Sequence, residues 1–429
     1  MLTKRTWIAL ILLGFAGQLA WGVENQYFNA FVYDRITPDP RPISWMVAAS
    51  AVTATLTAIL MGALSDRTRT RWGRRRPFIL FGYLAWGIAT AAFPTAARFQ
   101  PIALAVLLAI AFDSLMTYFG STANDAALNA YVADVTTDEN RGRVVGAMQI
   151  MTWVALLIVY GGAGLIIAGV GYDSFFYFIG GLVVILGLVG GWLIREPPVP
   201  ERPQGSYWAQ IADTFHWQNL TGNRDFFLVL LAIALWGVAE QIFFPYLIIY
   251  LNHYLQLPTL QASLLIFIAI LIGGIVLAYP LGLLADRLGR RRVAFLAIGA
   301  EAVGLFLFSL ARSYPLLAVT GVLWLAPLTA WTIATGAWSK DLFPEEKRGQ
   351  FAGYVIFFSV ALTMVPGPLI GSWLSTRYGI PTVLDGRPGF IPTPLIFQAA
   401  AVATLLAALP LLFTHSGATR RAAQARPRQ

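Results

Sequence analysis

The sequence predicts an all-α membrane protein of twelve spanning helices, arranged as two six-helix, pseudo-symmetric halves. Three observations carry this. Hydrophobic residues make up 57% of the 429-residue chain, charged residues only 12%, and mean hydropathy is +0.65, which excludes an ordinary soluble globular chain. Apolar stretches of about 20 residues or more recur between polar breaks. A three-part signature also appears twice, its copies about half the chain length apart.

The first apolar stretch, 7–33, follows Lys4 and Arg5 and begins like a secretory leader. It runs on without a convincing cleavage site and therefore reads as a retained first helix. Stretches 44–64, 77–97, 102–132, 144–169 and 174–195 complete a first half over residues 1–195. Glu196-Pro197-Pro198-Val199-Pro200 stops the sixth helix, because proline cannot continue it, and opens a polar linker over 196–225. An amphipathic surface helix is expected in that linker near 208–217. Stretches 226–254, 260–284, 293–311, 315–339, 350–376 and 394–413 form the second half, 226–413. The tail, 414–429, is rich in Arg, Ala and Gln and reads as disordered.

The net charge of +9 is distributed by topology. With the amino terminus inside, 24 of the 30 Lys and Arg fall in cytoplasmic segments. The other six are Arg35, Arg41, Arg98, Arg312, Arg377 and Arg387. This asymmetry predicts a cytoplasmic (plasma) membrane protein with both termini cytoplasmic, and it accounts for the basic charge without nucleic acid. With no cysteine and three scattered histidines, no disulfide frame, metal centre or cofactor is expected. Nothing in the sequence calls for an oligomer, so a monomer is expected.

The first copy of the signature has Trp21-Gly22-Val23 with Glu24. It continues with Gly62, Asp66 and Arg67 leading into Gly73-Arg74-Arg75-Arg76, then Asp134 followed by Asp138, Glu139 and Arg141. The second has Trp236-Gly237-Val238 with Glu240, then Gly282, Asp286, Arg287, Gly289, Arg290, Arg291 and Arg292. It ends with Asp341 followed by Glu345, Glu346 and Arg348. The three elements are offset by 215, 220 and 207 residues. Glycine lets helices approach closely. The aspartates can accept from backbone amides or pair with arginines on a neighbouring helix. Such a cluster can hold one side of a carrier closed and break when it flips. A loop that only orients the chain is the plainer alternative, and recurrence in both halves favours a gate.

Gly282-x-x-x-Asp286-Arg287-x-Gly289-Arg290-Arg291-Arg292 resembles the helix 2–3 and 8–9 signature of the major facilitator superfamily. The resemblance extends through the twelve helices and the repeat to nearly the whole chain, and it implies an alternating-access carrier. The longer first copy, Ser65-Asp66-Arg67 then Arg71-Trp72-Gly73-Arg74-Arg75-Arg76-Pro77-Phe78-Ile79, is similar to the glycoside–pentoside–hexuronide carriers (the melibiose permease group) and the sucrose–proton symporters. That resemblance puts Asp125 at a helix-4 aspartate that binds sugar hydroxyls. It puts Ala54 and Ala58 where sodium-binding aspartates stand, and Asn129 where sucrose symporters carry an arginine. It therefore implies coupling to protons rather than sodium.

A carboxylate at the bilayer centre costs about 2.5–3.5 kcal/mol on insertion scales, so each one there calls for a reason. Glu24, Asp113, Asp125 and Glu240 are the candidates for proton coupling. Glu24, Asn25, Gln26, Asp125, Glu240, Gln241, Trp331 and Thr335 are the candidates for binding the solute, since a carboxylate accepts hydroxyl hydrogen bonds strongly. Glu301 is placed near the cytoplasmic headgroups and set aside. Trp21, Tyr27, Tyr118, Trp236, Trp331 and Trp338 could stack on sugar rings. On helix 10, Trp331, Thr332, Thr335 and Trp338 share a face. Pro245, Pro280, Pro366 and Pro368 would kink their helices. No nucleophile–base set, phosphate loop or nucleotide motif appears, so no enzyme is expected. The sequence reads as a proton-coupled carrier of a small hydroxyl-rich solute. The rivals are a carrier or exporter of cationic or amphipathic compounds (amines, drugs, lipids) and a membrane sensor that transports nothing.

Overall fold

The structure, a computed structural model, describes residues 2–197, 223–342 and 354–414. Among these residues eleven stretches are long and apolar enough to cross a bilayer. In the first half these are α1 (Lys4–Ile36), α2 (Pro40–Arg67), α3 (Arg76–Arg98) and α4 (Ile102–Val135), followed by a single long run, Asp138–Leu193. That run breaks at Gly171, whose φ of 82° and ψ of 173° only glycine adopts readily, so it is two antiparallel spans, α5 (138–170) and α6 (172–193). The second half holds α7 (Arg224–Tyr254), α8 (259–288), α9 (Arg290–Leu310), α10 (Tyr314–Asp341), α11 (Tyr354–Arg377) and α12 (Leu395–Leu412). The break at Gly171 thus makes the eleven stretches twelve helices, six on either side of the linker. Most of that linker, the expected surface helix and the basic tail lie outside the described residues.

One element departs from the all-α expectation. Between α11 and α12, β1 (Ile380–Leu384) and β2 (Arg387–Ile391) pair antiparallel. The turn is Asp385-Gly386, both with positive φ, the backbone that a two-residue hairpin requires. It escapes a hydropathy reading because its strands are only five residues long.

The two ends of the bundle differ. At the hairpin end the halves are bonded together. The hairpin belongs to the second half yet lies on the end of α1. Arg387 donates to the carbonyls of Asp34, Arg35 and Ile36, the Phe390 amide donates to Pro38 O, and Tyr33 OH donates to Phe390 O. A cation on the last carbonyls of a helix satisfies groups the helix leaves unpaired. Beside it, Asp34 on α1 joins three helices. Its Oδ1 lies 2.8 Å from His253 Nε2 on α7, and its Oδ2 accepts from Tyr172 OH on α6 at 2.7 Å. Deeper in, Tyr27 OH meets Ser263 Oγ on α8, and Gln26 donates to Phe244 O on α7. There α5 and α8 approach closely, Phe267 and Ser263 filling the space that side chains at Gly161 and Gly164 would need.

At the opposite end, which carries the amino terminus, the described ion pairs stay within a half. Gly62 and Gly282, expected to allow close helix approach, have open space where a Cβ would stand. The described structure is therefore closed at the hairpin end.

Replacing Asp34 with alanine should loosen that closure. In this cysteine-free chain, a cysteine introduced at the buried Asn29 should then label roughly tenfold faster with an impermeant maleimide added from the hairpin end. That factor corresponds to losing a charged hydrogen bond of about 1.5 kcal/mol. An unchanged labelling rate would show that Asp34 does not hold the halves together.

Candidate functional site

A small pocket lies at mid-depth between the halves. Its polar lining comes from Glu24, Asn25 and Asn29 on α1, Ser50 on α2, Asp113 on α4 and Gln241 on α7. Met46, Val47, Pro245 and Met364 supply apolar walls. The sequence places these residues together through local helix geometry. Glu24 begins a short π-helical stretch, 24–28, whose wider turns reset the face that α1 presents. Pro245 interrupts α7 in a single tight turn, 244–246, just past Gln241.

Glu24 is only 8% exposed. Its Oε1 accepts from Ser50 Oγ at 2.7 Å and Thr117 Oγ1 at 3.0 Å, and those two hydroxyls are themselves 2.7 Å apart. The Asp113 carboxyl, 1% exposed, faces Glu24. Three buried oxygens of this pocket have no partner: Glu24 Oε2, Asp113 Oδ1 and Asn29 Oδ1. The Asn25 and Asn29 amides each commit one N–H, to Trp21 O and Asn25 O, and the Asn29 Oδ1 is left as a buried acceptor. No Lys or Arg is among its lining residues. Such a site fits a hydrogen-bond donor.

Asp113 also begins a polar line on α4. Asp113, Thr117, Ser121, Asp125 and Asn129 recur every fourth residue. In a regular helix that spacing drifts by about 40° per step. A π-helical segment, Ser121–Leu128, has wider turns and keeps the line on one face. Asp113, Thr117 and Ser121 are buried, Asp125 is half-buried and Asn129 is exposed, so the line leads from the pocket toward the terminal end. Ser121 and Asn124 both donate to the Asp125 carboxylate, and Asn129 to its carbonyl.

The remaining candidates divide. Asp125 is not among the pocket walls and stands roughly 18 Å along α4 from Asp113. Gln26 is buried beside the pocket and bridges the halves through Phe244 O. Glu240 lies apart, within the second half. One turn before it Trp236 stacks on Trp331, centroids 5.7 Å apart, and donates its Nε1–H to Glu301 at 2.9 Å. Trp331 is buried in that contact, and the Thr335 hydroxyl is spent on Trp331 O, so neither is turned to the pocket. Glu301 corrects the placement near the headgroups. It is the twelfth of 21 residues in α9 and 1% exposed. The sequence hides this, because an acidic residue in an apolar stretch carries no mark of depth.

The signature loops form two braces. In the first, Arg75 pairs with Asp66 at the end of α2 and bonds Ser65, while its Nε lies 3.3 Å from Asp134 at the end of α4. Arg74 reaches Asp134 at 2.6 Å. Glu196, just past α6, accepts from the backbone amides of Arg74, Arg75 and Arg76 and so caps the start of α3. Gly73 makes room for that carboxylate with a φ of 102°. Sequence reasoning took Glu196 only as the start of the linker. The signal was an acidic residue at a helix end facing a basic run. In the second brace Arg290 pairs with Asp341 and donates to Ala337 O, while Arg291 reaches only Leu412 O at 3.4 Å. Asp286 and Arg287 are exposed, so the copies are unequal. Arg67 ends α2. The Arg141 side chain and Arg348 lie outside the described residues.

Comparisons with known proteins agree with this architecture. The family model described as Major Facilitator Superfamily matches residues 6–279 and 261–428. Uncharacterized MFS-type transporters from two strains of Mycobacterium tuberculosis are 31% identical over 105 residues. That is 24% of this chain, and the match covers 15% of the length of those relatives. Among solved structures, a mutant of the nucleoside transporter NupG aligns with a TM-score of 0.73 at 14% identity, over 96% of this chain and 100% of that one. A bacterial homologue of the human lysosomal transporter Spinster, inward-facing and unoccupied, aligns at 0.66 and 14% identity over 96% of each chain. Its inward-facing, occupied form aligns at 0.68 and 12% over 95% of each. At these identities the likeness concerns the fold.

Glu196→Ala should remove three charge-assisted hydrogen bonds from the start of α3 and cost on the order of 2 kcal/mol. A thermal unfolding scan in detergent should show a lower midpoint. A midpoint equal to that of the parent would mean that the cap contributes nothing.

Proposed function

This chain belongs to the Major Facilitator Superfamily, and from that premise we propose that it carries a small hydroxyl-rich solute, a sugar or glycoside, by proton-coupled alternating access. As a transporter of this superfamily it is not an enzyme. The observation that carries the reading is the pocket between the halves, where three buried acceptor oxygens, two of them carboxyl, await a donor. Hydroxyl groups donate to such oxygens, and hydrogen bonds to a carboxylate are the stronger ones. The NupG likeness fits the same chemistry, since a nucleoside is a glycoside with free ribose hydroxyls.

In this reading Glu24 and Asp113 face one another and hold one proton in common. The α4 line, Thr117, Ser121 and Asp125, connects them to the terminal end. Coupling arises because a solute bound at Glu24 and a proton on the same pair alter which end of the bundle opens. If the basic loops lie in the cytoplasm of a plasma membrane, the hairpin end faces outward and is the closed one. The Asp66–Arg75–Asp134 brace then keeps each helix end in register while the halves part, and closing the inner end would bring the two braces together.

A cationic amine is the second reading. Two carboxyls and no lining Lys or Arg favour it. Charge movement in proteoliposomes separates the two, across a panel of monosaccharides, disaccharides, nucleosides, polyols, polyamines and lipophilic cations, at two pH values and with or without sodium. A sodium-independent, pH-dependent current with a sugar or nucleoside is expected. Response to amines alone would reassign the pocket to cations.

Glu24→Gln should lower pH-driven accumulation by about tenfold or more while leaving solute counterflow measurable. Full driven accumulation in that variant would remove Glu24 from coupling.

A further inference from the structure

The second half buries two carboxyls that the pocket does not use. Glu240 on α7 is 8% exposed and Glu301 on α9 is 1% exposed, and Trp236, one turn before Glu240, brings the two helices together by its bond to Glu301. Their arrangement is built, not incidental. Trp236 lies four residues before Glu240, on the same face of α7, and its indole donates to Glu301 Oε2. Stacking on Trp331 of α10 fixes that indole. One oxygen of each carboxyl, Glu240 Oε2 and Glu301 Oε1, is buried with no partner. The Trp236 N–H thus serves the Glu301 carboxyl alone.

Among the described residues the charges on the helices around the pair lie toward the helix ends, and α8, which packs on α9 and α10, carries only Asp286 and Arg287 near its terminal end. Along α9, the nearest is Arg292, about 13 Å away by helical rise. On α7 the charged residues are Arg224 and Asp225 at the terminal end. On α10 they are Lys340 and Asp341, nine and ten residues past Trp331. On α11 the nearest is Arg377 at the hairpin end, and the α12 span 395–412 holds none. Two unneutralised carboxylates at this depth would be far costlier than one. No described Lys or Arg balances them, so an exchangeable cation must, and the unpartnered oxygens admit the smallest.

We propose that Glu240 and Glu301 form a second proton-exchange site, inside the carboxy-terminal half and separate from the Glu24–Asp113 pair. The inference rests on the reading of this chain as a proton-coupled carrier and deepens it. Each half then carries its own acidic pair, α1 with α4 in the first and α7 with α9 in the second. The transport cycle has two places to load a proton. Trp236 is a positioning residue, since its N–H sets the Glu301 carboxyl toward Glu240.

The test uses the proton alone as probe. Difference infrared spectra of the reconstituted full chain, between about pH 5 and about pH 9, read the carbonyl stretch of protonated carboxyls. The parent should show bands from both pairs. Glu301→Gln should remove the second-half band, about half of the pH-dependent intensity, and leave the band that Glu24→Gln removes. A spectrum unchanged by Glu301→Gln would overturn the proposal, because the pair would then hold a fixed proton. Should Glu301→Gln fail to fold, Glu240→Gln reads the same band, and a band surviving it overturns the proposal equally. If only Glu24→Gln leaves the spectrum untouched, the coupling role of Glu24 fails while the second site stands.

Discussion

The rest of this structure answers to one constraint: a bilayer offers no water to a polar group. Hydroxyls inside the bundle meet it cheaply by bonding their own helix. Thr55 donates to Ala51 O, Thr335 to Trp331 O and Thr404 to Ala400 O. Carboxyls cannot do so, because backbone carbonyls are acceptors too. They stand at helix ends, where arginines and amides reach them, or in buried pairs, or, as with Asp125, where neighbouring Ser121 and Asn124 side chains donate to them. The pairs persist where packing alone would favour alanine, and that is the physical ground for giving them work.

The same constraint sorts the two ends of the molecule. Bonds between the halves at the hairpin end join α1 to α7 and to the β-hairpin, and they are polar and partly exposed. The described ion pairs at the terminal end tie each half to itself. A bundle built this way can exchange one end for the other while each half moves as a unit. The glycine contacts between α5 and α8 let the halves turn on each other without prising apart large side chains.

Much of this was legible in the sequence. Hydropathy marked the spans, and the repeated Asp-Arg loops marked the family, because both are local patterns with fixed spacing. What stayed hidden depended on depth or on partners distant in sequence. Glu301 looked peripheral because an apolar stretch gives no sign of where its centre lies. Glu196 looked like linker because its partners, the amides before α3, lie about 120 residues away. Asp125 stood out by resemblance, whereas the pocket was built on Asp113, three turns earlier on the same face. The hairpin carried a clear turn signal, Asp385-Gly386, that a search for long apolar runs passes over.

The hairpin has a consequence for how its end of the bundle opens. It is anchored at both feet, in α11 and α12, and makes five hydrogen bonds to α1 and the residues just after it. Such a clasp cannot be undone one finger at a time, because the two strands are paired and leave together. Opening at that side therefore requires all five of these bonds to be given up. The fastener also sits at the surface, away from the pocket, so a molecule gripping it from without would stall its release without entering the bundle.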